Sequence, residues 1–464
     1  MKLLSNLACL LGMAIVFTLP VQAAVTADEA AQLGGPVLTV FGAEKGGNAE
    51  GTIPPYTGTG PKTPSGWTPV VGNGDTHPQR PDPYGDKPLF SITAQNAAQY
   101  ADKLDGMMEM FKRYPNFRMD IYPTHRDYRM PKYVEANTLK NATACKAVNN
   151  ELKLEGCYGG LPFPIPKTGN QVMWNHLAGY QSWTVKGRAE AWIVPSDGSA
   201  ALVDRVDYTN NWPGFNPAIS GPLPADSMYF RYIGTDEAPA RLAGGKFMFH
   251  DPFDQIGVGR RAYLYVTGRR WVKLAANLAY DTPTPYGGGI ATMDDSQVFM
   301  GALDRFDFTL AGKKEKFIYY NNYQFNDRNT CSTERITSTR GFPNPDCVRW
   351  ELHRVWVVKS ALKAAFNHVY HQRIFYWDED SYVFGMSESY DAKGKLFRFA
   401  NIVGFPYFEA EGAHASGDSY LDLPSGVWSA TGMQLCATCG ESVIKTALPE
   451  DTFRPDAMAG AGIR

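Results

Sequence analysis

The amino-acid sequence predicts an α+β fold, mainly β, built around one large curved antiparallel sheet. Three observations predict it. Past about residue 185 the chain settles into a steady alternation of strand formers and turn residues. Residues 371–399 hold an aromatic-rich meander. The amphipathic helical patterns lie ahead of the strands, at 94–114 and 171–179. Length alone would allow about three domains, but the unbroken rhythm favours a single sheet.

Residues 1–23 read as a secretory signal peptide. Lys2 supplies the early charge, 7–19 is the apolar run, and Val21-Gln22-Ala23 places small residues where cleavage near Ala23 would occur. The apolar run is shorter than the ~20 residues a membrane span needs. The expected location is the periplasm, with peripheral attachment to the outer membrane left open. Residues 24–90 follow as an arm. From 34 to 87 the chain is crowded with Gly and Pro, which rules out regular helix and central strand. Phe41, Tyr56 and Trp67 favour an arm laid over the body rather than a linker, because linkers are poor in aromatics.

The 94–114 segment predicts the one long helix. Thr93 can cap its start and Pro115 follows its end. Tyr100, Leu104, Met107, Met108 and Phe111 recur at helical spacing, so this face packs on the sheet, with a lid over a ligand as the alternative. Strands are expected at 190–194, 202–209, 262–266, 271–274, 305–309, 317–323 and 350–359, with hairpin turns at 266–269 and 310–313. In the meander, Phe375 and Trp377 share one parity, as do Tyr382 and Phe384, so each pair faces one way. A last hairpin pairs 419–423 with 427–431.

Charge excludes one class of partner. Lys and Arg number 45 against 47 Asp and Glu, without a basic stripe, so nucleic acid is not expected to bind. Six cysteines remain after the signal segment, an even count in an exported chain. Proximity suggests the pairs Cys145–Cys157, Cys331–Cys347 and Cys436–Cys439. The spacing of Cys436 and Cys439 also permits a redox or zinc motif, but no further soft ligands follow.

Catalytic signatures are missing: G-x-S-x-G, H-E-x-x-H and the P-loop do not occur. His368 and His371 would face opposite ways on a strand. Glu351 and His353 share a strand face, which suits a structural hydrogen bond or, less simply, general-base chemistry. Asp378-Glu379-Asp380 reads as a solvated turn, with calcium as the alternative. No cofactor, metal or catalytic residue is assigned.

Several segments together resemble one family. They are Gly42-Ala43-Glu44-Lys45, Pro88-Leu89-Phe90, Gly160-Leu161-Pro162-Phe163-Pro164-Ile165-Pro166, Met173-Trp174-Asn175-His176, Gly301-Ala302-Leu303-Asp304-Arg305 and Tyr320-Asn321-Asn322-Tyr323. The family is the exported Gram-negative group called domain of unknown function 1329, similar to the lipoprotein carriers LolA and LolB. The resemblance implies an incomplete β-barrel around an apolar cavity, covered by helices. With the residue patterns above, the chain reads as signal peptide 1–23, arm 24–90, half-barrel domain with helical lid 91–448, and tail 449–464. The resemblance also implies an outer-membrane β-barrel protein and an inner-membrane resistance-nodulation-division transporter as partners.

The expected function is a carrier or chaperone for a hydrophobic cargo: a lipid, lipoprotein acyl chains or another lipophilic molecule. Met107, Phe111, Trp174, Phe375, Trp377, Tyr382 and Phe384 are the residues expected to line its cavity. An exported hydrolase using Glu351 and His353 or another carboxylate pair, and a structural subunit of an envelope complex, are the alternatives.

Overall fold

The computed structural model describes residues 25–68, 79–269, 271–275 and 278–460. The signal-peptide segment lies outside the described residues. Two short strands come first, β1 (Phe90–Ile92) and β2 (Met119–Ile121), then the small hairpin β3 (Lys146–Val148) and β4 (Lys153–Glu155). The long strands begin with β5 (Thr184–Val194), β6 (Ala201–Asn211), β7 (Met228–Ala238), β8 (Lys246–Pro252), β9 (Arg261–Val266) and β10 (Trp271–Leu274). After a loop come β11 (Phe306–Tyr319), β12 (Trp350–Leu362), β13 (Gln372–Asp378), β14 (Gly385–Tyr390), β15 (Leu396–Pro406), β16 (Ala413–Asp422), β17 (Val427–Met433) and β18 (Gly440–Val443).

Neighbours in sequence pair antiparallel from β5 to β10 and from β11 to β17. The two runs join where β17 and β18 both pair with β5, β17 along its second half and β18 along its first. The result is one large sheet, open at β10 and β11 among the described residues, so the barrel does not close. The antiparallel pair β1–β2 attaches to β12 through the bridge Trp350–Ile121.

Local chemistry explains where expectation and structure part. The 94–114 segment is not one helix. It splits into short turns of helix at Ala97–Tyr100, Ala101–Leu104, Asp105–Met107 and Met108–Arg113. Asp105 sits at φ 49°, outside helical space. Lys314 (2.6 Å) and Lys316 (2.9 Å) hold its carboxylate, and the Gly106 N–H donates to Glu388 at 3.0 Å. Tertiary charge pairing overrides the helical period there. The long helix is Lys132–Ala144 instead, and its inward face is largely polar: Asn137, Thr138 and Asn141 are buried. Their side chains bond the 158–161 loop, with Asn141 donating to Leu161 O at 3.1 Å. No apolar stripe advertises such a helix.

The expected turn at 310–313 is a bulge inside the continuous strand β11, whose register slips between Leu310 and Gly312 at a glycine with φ 101°. The shorter helix forms at Gly169–Leu177, capped by Thr168, and packs on β11 and β12. The N-terminal arm is laid on the body: Phe41 packs edge-on against Tyr56 and Tyr128, and Arg126 donates to the Glu44 carbonyl at 2.7 Å. All three cysteine pairs expected from proximity are disulfides.

Candidate ligand cavity

Strands β5 to β8 turn alternate side chains to one concave face. Val206 and Tyr208, Phe230 and Tyr232, and Phe247 and Phe249 come in pairs two residues apart, as strand geometry requires. Over them folds the 279–304 segment, which contributes Tyr286, Met293 and Met300. Ala415 and Gly417 of β16 close a third side. Between these walls lies a cavity of about 160 Å³. An apolar cavity of ~150 Å³ holds one benzene. The space therefore fits one small apolar group or the end of a chain.

A second cavity, of about 200 Å³, adjoins the first and is lined by Tyr229, Asp251, Gln255 and Tyr280. Arg260 lines both. Its guanidinium donates to Asp251 at 2.6 Å and to the Met300 carbonyl at 2.7 Å, and it lies 4.7 Å over the Phe249 ring. It acts as a partition between the two spaces.

Four charged groups line the main cavity, and three are committed to partners. Glu190 accepts from Arg205 (2.6 Å) and Trp192 (3.0 Å). Asp418 accepts backbone N–H bonds from Gln297 (3.0 Å) and Val298 (3.2 Å) and the Tyr420 hydroxyl at 3.0 Å. Burial pushes Asp418 up to about 7 against the pull of those donors. Asp204 is different: it is buried, and its Oδ1 has no hydrogen-bond partner among the described residues. Burial, with the nearby Asp236 charge, pushes it up to about 7.

The structure places the seven residues expected to line a cavity elsewhere. Phe375 is packed against Phe299 at 5.5 Å and stacked with Trp377 at 5.8 Å. Trp377 in turn stacks on His176 at 3.6 Å and donates to Met173. Phe384 meets Tyr320 at 4.6 Å, Trp174 donates to the Glu151 carbonyl at 2.7 Å, and Phe111 packs on Phe117 at 4.9 Å. Met107 and Tyr382 are fully buried as well. None of the seven lines either cavity. The Gly169–Leu177 helix and Phe299 fill that half of the concave face. The residues that do line the space carried a signal that sequence reasoning passed over: Phe230-Arg231-Tyr232 and Phe247-Met248-Phe249 alternate in aromatic character, on two strands not anticipated.

A separate buried polar cluster ties the arm to the sheet. The Asp378-Glu379-Asp380 turn, expected in solvent, is fully buried. Arg126 binds Asp380 through two 2.8 Å bonds, and Arg354 binds Glu379 at 2.6 Å. Beside it Glu351 pairs with Arg349 at 2.6 Å and with His353 at 3.1 Å. Although burial pulls His353 down, Asp378 and Glu351 hold it up at about 9. Burial would raise Glu351, yet Arg349 and His353 bring it to about 2. Glu351 and His353 line neither cavity and read as an internal ion pair. His353, Asp378 and Asp380 come within 4.8 Å of one another in ligand-atom distance, but Arg126 and a protonated imidazole disfavour a cation there. Cys436 and Cys439 lie near Glu190, and their disulfide leaves no thiolate to bind metal. His368 precedes β13 rather than lying on it and bonds Asp294 at 3.1 Å.

Residues 91–459 match the family described as "Protein of unknown function (DUF1329)". The chain belongs to this family. It is 38% identical over 420 residues to "Uncharacterized protein PA3922" of Pseudomonas aeruginosa, covering 89% of each chain. Among solved structures, a DUF1329 family protein from Desulfovibrio piger has TM-score 0.38 at 10% identity, over 60% of this chain and 92% of that one. A LolA superfamily protein, NE2245 from Nitrosomonas europaea, has TM-score 0.36 at 11% identity, over 63% and 99%. Among the described residues no helix is long and apolar enough to cross a membrane.

Proposed function

We propose that this DUF1329 protein is a periplasmic carrier that shelters a hydrophobic molecule between its curved sheet and the 279–304 segment. The observation that carries the reading is the cavity walled by Tyr208, Phe230, Tyr232, Phe247, Phe249 and Tyr286. Each Å² of apolar cargo surface removed from water favours binding by roughly 25 cal/mol before the costs of association. A few hundred Å² therefore suffice for useful affinity without chemistry. The cover supports release. Tyr280, Gln297 and Val298 hold positive φ values of 56°, 50° and 63°, a conformation costly for a β-branched residue such as Val298. A segment held in this way has a ready alternative, and a partner that offers one can open the cavity.

The partners in this reading are an outer-membrane β-barrel protein and an inner-membrane transporter of the resistance-nodulation-division class, between which cargo would pass. The protein acts as a binder rather than a catalyst, and enclosure of the Glu351–His353 pair within an ion network supports that choice. The test is native mass spectrometry of protein purified from its own periplasm, beside an Ala191→Trp variant that fills the cavity. Apolar molecules should accompany the natural protein and be absent from the variant. Equal loading of both, or of neither, overturns the reading.

A further inference from the structure

The main cavity is chemically lopsided. Its lining holds three carboxyl groups, Glu190, Asp204 and Asp418, against the single guanidinium of Arg260. Three of these four are spoken for: Glu190 by Arg205 and Trp192, Asp418 by Gln297, Val298 and Tyr420, and Arg260 by Asp251 and the Met300 carbonyl. Asp204 is the exception. It is 1% exposed, it lines the cavity, and its Oδ1 has no partner among the described residues. A bare acceptor on a cavity wall, unlike one enclosed in core, can be met by a donor from a ligand.

Its surroundings say what kind of donor. Asp236 of β7 pairs in register with Val206 of β6, two residues from Asp204, so the two carboxyls are neighbours across the strand pair. Asp236 Oδ1 is likewise buried and unpaired. Aromatic faces surround this end of the cavity. Phe247 lies 6.0 Å from Tyr232 and 6.4 Å from Tyr286 by ring centroid. Gly234 makes room for the Tyr232 ring, because a Cβ there would strike the Tyr232 hydroxyl and come 2.9 Å from Val206. One carboxyl in the cavity wall, a second close behind it and aromatic rings at the same end suit an organic cation, which gains from charge, from hydrogen bonding and from ring quadrupoles.

We infer that the cavity selects an apolar molecule bearing an amine, whose ammonium group donates to Asp204, with the Asp236 carboxyl close behind, while its hydrocarbon part lies against Phe230 and Phe249. This rests on the carrier reading and names the class of cargo. Burial pushes Asp204 up to about 7 and Asp236 up to about 6, with the Arg205 backbone N–H and then Arg241 pulling Asp204 the other way and the Tyr232 and Tyr286 hydroxyls near both. An ammonium entering the site supplies the donor that the bare Oδ1 of Asp204 lacks.

The experiment is calorimetric titration of the full protein at neutral pH with octylammonium, 1-octanol and octanoate. Octylammonium should bind about tenfold or more tightly than octanol, a difference typical of a desolvated cation site, and octanoate should bind weakest. In Asp204→Asn the ratio of ammonium to octanol affinity should fall to about one, with Asp236→Asn lowering it in the same direction as an independent arm. Thermal melts confirm that each variant is folded. Octanol binding as tightly as the ammonium, or an ammonium preference that survives both substitutions, overturns the inference and leaves the carrier reading standing. Failure of all three probes to bind, with Ala191→Trp indistinguishable from the natural protein, overturns both.

Discussion

The carboxylate of Asp418 on β16 accepts the backbone N–H of Gln297 at 3.0 Å, and the next N–H, of Val298, at 3.2 Å. Both donors sit at positive φ in the segment that covers the cavity. One side chain of the sheet thus holds the cover in an otherwise unfavourable shape. Asp418→Ala removes these two buried hydrogen bonds and the one from the Tyr420 hydroxyl, each worth about 1 kcal/mol net, so stability should fall by about 3 kcal/mol. Amide exchange should accelerate at 296–300 before it does elsewhere. Unchanged exchange there would mean the cover is held by other contacts.

Acid strength gives this clasp a pH signature. Asp418 rises from 3.8 to about 7 on folding, so the folded state binds the extra proton. Its contribution to stability is full below 3.8 and is lost as pH rises through about 7. His353 adds the same sign at higher pH, its contribution being full below 6.5 and lost through about 9. Glu351 opposes them: lowered from 4.5 to about 2, it stabilises above 4.5 and loses that contribution as pH falls toward 2. Stability should therefore peak on the acid side of neutrality and decline toward alkaline pH. Denaturant midpoints across the range should show this, and Asp418→Asn should flatten the decline between about 4 and 7.

Arg126 joins three parts of the chain. It binds Asp380 in the buried turn after β13 and donates to the carbonyls of Glu44 (2.7 Å) and Gly46 (3.1 Å) in the arm. Arg126→Ala strands a buried carboxylate, a change that costs about 3–5 kcal/mol. Limited proteolysis should then cut first within 44–57, where natural protein resists. Cutting elsewhere with the arm intact would place the arm's anchor in the Phe41–Tyr56 contact instead.

The three disulfides should not matter equally. Cys331–Cys347 spans 16 residues and Cys145–Cys157 spans 12, whereas Cys436–Cys439 spans 3. Loop entropy in the unfolded chain gives about 3 kcal/mol for a loop near 15 residues and less for a tight one. Paired serine substitutions should lower the melting temperature most for the first two and least for the last. The reverse order would show that the Cys436–Cys439 loop is holding β18 against β5.

What sequence reasoning could see, and what it could not, divides along physical lines. Strand alternation and turn chemistry are local, so β9, β10, β12 to β14 and β17 are legible, as are the disulfide partners that lie close in sequence. Asp105 is not, because the lysines that hold it belong to β11, more than 200 positions away. The Lys132–Ala144 helix hides behind buried Asn and Thr whose partners are loop carbonyls. The charge of Asp378-Glu379-Asp380 suggests water until Arg126 and Arg354 are known to meet it. Aromatic density misled in the same way. It marks both packed core and hollow, and only the tertiary placement of Phe299 and the Gly169–Leu177 helix decides that the meander is core.

That distinction can be tested with two phenylalanines. Phe375 is wholly buried among Phe299 (5.5 Å), Trp377 (5.8 Å) and Phe308 (6.3 Å). Phe249 lies on the cavity wall, 5.2 Å from the Tyr232 ring and under the Arg260 guanidinium. Phe375→Ala opens a void in close-packed surroundings and should cost about 3–5 kcal/mol. Cargo affinity of the protein that remains folded should hardly change. Phe249→Ala removes a ring already facing empty space, so it loses fewer contacts and should cost less, while enlarging the hollow and shifting preference toward bulkier ligands. Equilibrium unfolding and titration with apolar probes of graded size read both effects on the same two proteins. If Phe375→Ala changed ligand size preference and Phe249→Ala did not, the binding site would lie beneath the meander and not between β5–β8 and the cover.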